Sequence, residues 1–454
     1  MKPFRRRSIQ CILPLALLGT QCVNAVSLDL SDTDSIKSAS KIIADEMVSY
    51  YTGYRPGDVA GNLPSPYYWW EAGAMFGSLI DYWYFTGDDT YNNITTQAIL
   101  HQTGSDNDFM PPNQTKTEGN DDQSFWGMAA LSAAENNFPN PSSDEPQWLA
   151  LAQAVFNTQA ARWDTSTCAG GLRWQIFTFN SGYNYKNTIS NGCFFNIGSR
   201  LAVYTGNQTY ADWAEKAWDW VSAIGLRDAD YNFYDGSDDT INCSQIDHDQ
   251  WTYNAGTFLI GAANMYNFTN GSSVWEERLN GIIGNLKVFL KNDIMYEAAC
   301  EAAGTCDTDQ QSFKAYLARW IAAAIVKAPF TYDSLKPILE ASATAAAATC
   351  TGGTNGTSCG NKWYTGSYDG TTGVGEQMSA LEVIQSNLLT VVAAPVTEDS
   401  GGTSKGDSSA GSTSDIDQSD LDKSVVTTKD RAGAALLTVL ICFVMIGGAL
   451  WIMI

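Results

Sequence analysis

Histidine is nearly absent from this chain, and basic residues are few. Its 454 residues include two histidines, His101 and His248, and 26 Lys and Arg against 49 Asp and Glu, a formal net charge of −23. His248, in IDHDQW, has no partner ligand at a recognised metal spacing. Neither histidine adjoins a plausible thiolate, so a Cys–His nucleophile is not indicated. No metal and no cofactor are expected. The acidic balance lacks the electrostatic footprint of a nucleic-acid binder and instead favours solubility. Strand-type alternation is also scarce, its best instance being LRWQIFTF at 172–179. Nor is there an internal linker between Val26 and about residue 395, which predicts one large domain over 26–395.

The two ends differ from this segment. Arg5-Arg6-Arg7, the apolar run ILPLALLG and small residues up to Ala25 have the layout of a secretory signal peptide over 1–25. Its apolar core is too short to span a bilayer. Residues 396–431 read as a polar, small-residue spacer, and 432–454 as a terminal apolar tail. A stop-transfer helix keeps basic residues on its cytoplasmic side, and none follows this tail. The layout is that of a GPI-attachment signal, with the attachment residue between Gly406 and Ser424. A secreted protein held by a GPI lipid on the outer face of the plasma membrane, or passed to the cell wall, is the expectation.

Seven sequons, at Asn93, Asn113, Asn207, Asn242, Asn267, Asn270 and Asn355, suit a glycosylated surface protein. Setting aside Cys11, Cys22 and Cys442 at the ends leaves seven cysteines. Cys300 and Cys306 share one long loop, Cys350 and Cys359 another, and Cys168 and Cys243 lie in neighbouring loops. These three pairs are predicted disulfides, with Cys193 in NGCFFNIG a buried free thiol.

Apolar periodicity of 3.6 predicts helices near 32–51, 68–86, 89–102, 121–136, 145–162, 187–205, 208–226, 249–268, 273–292, 309–328, 331–348 and 374–392. Short turns such as YFTGDDTY and YTGNQTY alternate with longer connectors rich in Gly, Asp and Cys. That rhythm implies six stacked hairpins closed into an all-α (α/α)6 toroid, the even-numbered helices forming the inner ring. An open solenoid is the competing arrangement. In the toroid the long loops gather at one mouth, where function is expected.

Adjacent acids occur three times, as Asp88-Asp89, Asp121-Asp122 and Asp238-Asp239. The first lies in a short turn on the far face, and the third reads as turn chemistry. Asp121-Asp122, in EGNDDQSFWG, opens inner helix four at the mouth. Asp121 with Ser124 three residues on also fits an ordinary N-cap. Its surroundings are aromatic, however: Trp69, Trp70, Trp126, Trp174, Tyr185, Trp251, Tyr253, Trp363 and Tyr364 sit on inner helices or loop ends. Rings stack on the apolar faces of sugars, while two acids divide acid/base and nucleophile duties. Helical neighbours point about 100° apart, so the pair can flank one anomeric carbon at the ~5 Å separation of retaining glycosidases. Their repulsion raises one pKa and holds one acid protonated.

The series YYWWEAGAMFGSLIDYW, NDDQSFWGMAAL, GGLRWQI, YKNTISNGCFFNIGSRLAVYTGN, WTYNAGTFLIGAA and GEQMSALEVIQSN resembles glycoside hydrolase family 76 over about 28–392. The resemblance is strongest to its fungal, GPI-anchored branch of mannan endo-1,6-α-mannosidases and cell-wall transglycosidases. It implies an (α/α)6 fold and retaining cleavage of α-1,6-mannosyl linkages, with Asp121 as nucleophile and Asp122 as general acid/base. From their loop-end positions, Trp126, Trp174, Lys186, Asn187, Tyr253 and Asp309 are candidate substrate contacts, with Asp247 and Gln377 after them. The substrate is α-1,6-linked mannan or GPI-core mannose; in a transglycosidase the acceptor is wall glucan instead of water. Two readings from other classes compete: a catalytically silent mannan-binding wall protein, and a structural protein whose acids are caps.

Overall fold

The computed structural model describes residues 26–412 and the single position Thr438. The signal segment and the 432–454 tail, Thr438 apart, lie outside them. Among the described residues no helix is long and apolar enough to cross a membrane. Twelve α-helices follow the expected segments: α1 (Thr33–Ser49), α2 (Trp69–Thr86), α3 (Asn92–His101), α4 (Asn120–Glu135), α5 (Trp148–Ala161), α6 (Thr188–Thr205), α7 (Gln208–Ala223), α8 (Thr252–Phe268), α9 (Ser273–Asn285), α10 (Phe313–Lys327), α11 (Tyr332–Thr349) and α12 (Val374–Gln385).

The even-numbered helices pack in sequence, α2 on α4, α4 on α6, and so on to α12, which returns to α2. That closure excludes the solenoid. Odd-numbered helices form the outer layer: α5 lies against α4 and α6, and α1 spans α12 and α2. Inner helices are buried nearly all round, so their small residues set the spacing. A Cβ on Gly73 of α2 would lie 2.8 Å from the Trp126 ring, and one on Gly261 of α8 would lie 2.2 Å from Phe195. Such close approach is available only without a side chain.

The axis is plugged at the end away from the mouth by buried ion pairs. Arg319 bridges Asp81 at 2.7 Å and Glu382 at 2.6 Å, while Arg200 meets Glu135 at 2.7 Å. Paired and hydrogen-bonded, these charges avoid the cost of lone buried ions.

Two small sheets escaped the sequence reading. β1 (Tyr185–Asn187), β2 (Gly236–Asp238) and β3 (Ile246–Asp247) form an antiparallel sheet at the mouth, and β4 (Leu290–Lys291) pairs with β5 (Ile294–Met295). Conversely, 172–179 is not a strand; it makes one isolated bridge, Gln175 to Gly119. All three expected disulfides are present, and Cys193 is a buried free thiol. All seven sequon asparagines are exposed.

The packed chain also continues beyond residue 395, into the first part of the segment expected to be a polar spacer. Val396 N–H donates to Glu135 O at 2.7 Å, Leu149 N–H to Ser404 Oγ at 3.0 Å, and Asn157 Nδ2 to Ala410 O at 2.7 Å. Residues 396–412 therefore form a strap along α5, because backbone polar groups in this polar segment find partners on the helix surface.

Candidate active site

Five inner helices, all but α12, direct their N-terminal ends or preceding loops to a cleft of about 610 Å³. Seven carboxylates line it (Asp121, Asp122, Asp235, Asp247, Asp249, Asp307 and Asp309) against one basic residue, Lys116. Helix N-termini carry partial positive charge and free N–H groups, which makes so many acids tolerable there.

Asp121 and Asp122 sit at the cleft floor in the first turn of α4. The helix starts one residue before the expected cap: Gly119 is the N-cap, so Asp121 is not. Asp122 reaches back from the third helical position to accept from Gly119 N–H at 2.6 Å. A Cβ on Gly119 would lie 2.3 Å from Asp121 Oδ1 and 3.2 Å from Asp122 Oδ2, so the pair occupies space that only glycine leaves. Burial pushes Asp121 up to about 7, the nearby Asp235 adding to the rise while backbone N–H groups and Asn187 oppose it. Burial and then the Asp121 charge carry Asp122 well above the ordinary carboxylate range. Both acids thus hold their protons more tightly than an ordinary carboxylic acid, and the charge of one raises the other.

Around them the cleft is aromatic. Trp174 is 37% exposed, its ring backed by Gly182 and by Tyr185 at 6.4 Å, which leaves one face open. Tyr253 stacks on Phe313 at 3.9 Å, and Tyr68, Trp70, Phe125 and Trp251 complete the aromatic lining. Asn187 lines the cleft as the N-cap of α6, accepting from Ser190 N–H at 3.3 Å. Asp309 receives a hydrogen bond from Trp70; burial, then Asp307, moves it up to about 6. Asp247 lies on the outer lip, exposed.

Three expected contacts are elsewhere. Trp126 is 0% exposed, stacked between Trp69 at 5.4 Å and Phe109 at 5.8 Å, one turn below the acids in the core. Lys186 is equally buried; its Nζ donates to the carbonyls of Asp164, Thr167 and Gly170 at 2.7–2.9 Å and pairs with Asp164. It braces the loop behind the cleft. Gln377 is enclosed within α12, away from the lining. Among the other aromatics, Trp363 is core, under the Lys314 ammonium. Exposed His248 packs edge-on against Tyr234.

Asp235 was missed. It accepts from Tyr185 Oη at 2.8 Å, takes a further bond from Trp251, and is pushed by burial up to about 6. Its sequence, YNFYDGSDD, reads as turn chemistry; only the β1–β2 pairing brings it beside Asn187. No group of His, Cys, Asp or Glu able to hold a metal occurs among the described residues.

Residues 35–399 match Glycosyl hydrolase family 76. The chain is 48% identical to mannan endo-1,6-alpha-mannosidase DCW1 of Saccharomyces cerevisiae, over 96% of this chain and 97% of that protein. It is 42% identical to mannan endo-1,6-alpha-mannosidase DFG5 of Candida albicans, over 97% and 98%. The structure of Dfg5 from Chaetomium thermophilum in complex with glucosamine superposes with a TM-score of 0.83 at 44% identity, covering 86% of this chain and 99% of that one. An inactive variant of an alpha-1,6-mannanase from Salegentibacter, in complex with alpha-1,6-mannotriose, shares the fold at 16% identity and a TM-score of 0.62, covering 78% and 99%. By a match across most of its length and by near-half identity to full-length relatives, the chain belongs to glycosyl hydrolase family 76.

Proposed function

We propose that this cleft cleaves α-1,6-mannosyl linkages with retention, using Asp121 as nucleophile and Asp122 as general acid/base. The carrying observation is the pair itself: adjacent carboxyls, both raised in proton affinity by burial, the charge of one raising the other, at the floor of an aromatic cleft. Ionised Asp121 attacks the anomeric carbon while Asp122 gives its proton to the departing glycosidic oxygen. A hydroxyl-bearing acceptor then attacks the same carbon, releasing Asp121 and returning a proton to Asp122. The names of the relatives, all mannan endo-1,6-alpha-mannosidases, support the linkage.

Trp174 and Tyr253 supply stacking surfaces, and Asn187, Asp309 and Asp247 are placed to bind sugar hydroxyls. Asp235 joins them on its position. The mannosyl donor is wall mannan or GPI-core mannose, and the acceptor water or a wall glucan. Exposed sequon asparagines and three disulfides support a secreted, surface-held protein.

The test incubates the protein with labelled α-1,6-mannotetraose, with and without a β-glucan oligosaccharide. Shortened products indicate hydrolysis, acceptor-linked products transfer. No turnover by the wild type, with binding retained, supports the silent binder instead. Turnover surviving Asp121→Asn or Asp122→Asn would refute the assignment of the pair.

A further inference from the structure

The residue before the pair, Asn120, is 2% exposed and bonded on every polar atom. Its N–H donates to Trp174 O at 2.8 Å, and its Nδ2 donates to Arg173 O at 2.8 Å. Its Oδ1 accepts from Arg162 Nε at 2.9 Å, and its carbonyl accepts from Gln159 Nε2 and Ser124 Oγ, each at 2.7 Å. Arg162 and Gln159 come from the mouth end of outer helix α5. Arg162 spends its other nitrogens on Gln123 Oε1 and Met110 Sδ. The half-buried guanidinium, with the Asp108 and Glu118 carboxyls nearby, thus donates directly to two neutral acceptors in the first turn of α4 and to Met110.

We infer that Asn120 is a positioning residue that sets the reacting pair against the Trp174 platform, with Arg162 holding its side chain in place. The requirement is specific. One short side chain must present a donor to Arg173 O and an acceptor to Arg162 at the same time, which an amide does and a carboxylate or alanine does not. The neighbouring bonds point the same way. Gly119 bridges Gln175, and Ile176 N–H donates to Glu118 O at 3.3 Å, so the Trp174 loop is stitched to the two residues leading into α4 as well as to Asn120 itself. Trp174 is in turn fixed by its N–H to Tyr185 O at 2.6 Å. Slippage of this seam moves the sugar surface relative to the acids, and a shift of about 1 Å costs on the order of 100-fold in rate.

The inference rests on Asp121 and Asp122 being the reacting pair. Asn120→Ala and Arg162→Gln are assayed on α-1,6-mannotetraose beside Asp121→Asn, Asp122→Asn and Trp174→Ala. Asn120→Ala should lose about 100-fold in kcat/KM, mostly in kcat, and Arg162→Gln, which leaves the bond to Arg173 in place, about tenfold. Trp174→Ala should act mainly on KM. The Asn120→Ala, Trp174→Ala double variant should fall at least about threefold short of the product of the single losses, because both act on one seam. The inference is overturned if both Asn120→Ala and Arg162→Gln keep kcat within about twofold of wild type, or if the single losses multiply. Loss of cooperative melting in both variants overturns it too, since a residue needed only for folding positions nothing. If Asp121→Asn or Asp122→Asn retains turnover, the underlying assignment has failed instead, whatever Asn120 does.

Discussion

Gly119→Ala gives the most direct test of how tightly the acid pair is held. The glycine has φ −100°, an ordinary value for any residue, so the substitution imposes no backbone strain. Its effect is purely steric. The new Cβ would lie 2.3 Å from Asp121 Oδ1 and 2.9 Å from Trp174 O, whereas ordinary contact begins at 3.4 Å. Restoring that contact requires the Asp121 carboxylate to move by about 1 Å, and displacements of that size cost on the order of 100-fold in rate. The backbone oxygen of Trp174 is less free to retreat, so overpacking adds about 1–3 kcal/mol of instability. Initial rates on α-1,6-mannotetraose should show kcat reduced about 100-fold, with a thermal midpoint only a few degrees lower. A kcat within about threefold of wild type would mean that the carboxylate position is not critical, and the argument from geometry to rate would fail.

Three further outcomes follow from the described contacts. Lys186→Met removes the donor to three carbonyls and one of the cations beside Asp164, and should cost about 3–5 kcal/mol of stability in chemical denaturation. Well below its midpoint, however, the variant should keep kcat within about threefold, because Lys186 does not reach the cleft; a dead but stable enzyme would place it in the site after all. Stability should fall as pH rises from about 5 to 8. Burial raises Glu297 from 4.5 to about 8, Glu376 from 4.5 to about 7 and Asp121 from 3.8 to about 7, so the folded chain binds more protons than the unfolded one across that window. Each raised group contributes fully below its unfolded value and loses up to about 1.4 kcal/mol per pH unit until its folded value is passed. A melting temperature higher at pH 8 than at pH 5 would contradict this. Finally, ending the chain at residue 395 strips the strap from α5 and should lower the midpoint by a few degrees; an unchanged midpoint would show the strap to be energetically idle.

Long-period features were legible in the sequence because twelve amphipathic or wholly apolar segments each carry several turns of signal. Ring closure followed from the alternation of connectors, which is also a many-residue pattern. The errors arose where a single residue's depth or partner decided the outcome. Trp126 lies four residues beyond Asp122, hence on nearly the same helix face, but about 6 Å further down the axis, in the core. Lys186 and Asn187 are strand neighbours, so their side chains point to opposite faces. Asn187 meets the cleft, and Lys186 the loop behind it. Asp235 depends on the Asn187–Gly236 register of strands only three residues long, too short for any periodicity. The strap on α5 was hidden because a polar segment gives no pattern when its partners are scattered groups such as the Asn137 and Asn157 side chains and the Leu149 N–H.

The three Asp-Asp pairs show why position alone did not separate chemistry from capping. Partly buried Asp88 accepts from Tyr82 Oη at 2.6 Å and Thr90 N–H at 3.0 Å, and these bonds hold its pKa below the usual carboxylate range despite the burial. Asp238 accepts from Thr240 Oγ1 at 2.6 Å and from Thr240 N–H at 2.8 Å, which lower it as well, and Asp239 is ion-paired with Arg173. At Asp88 and Asp238 these donors stabilise the charge, and Asp239 is committed to its ion pair. At Asp121-Asp122 the donors are backbone N–H groups and one amide, no cation touches either carboxyl in the described structure, and burial works against ionisation. A structure that wanted a cap would supply a donor for each oxygen, yet Asp121 Oδ1 has none. Burial without a counter-charge favours the protonated form of this pair, and in the proposed reaction the glycosidic oxygen takes up such a proton as it leaves.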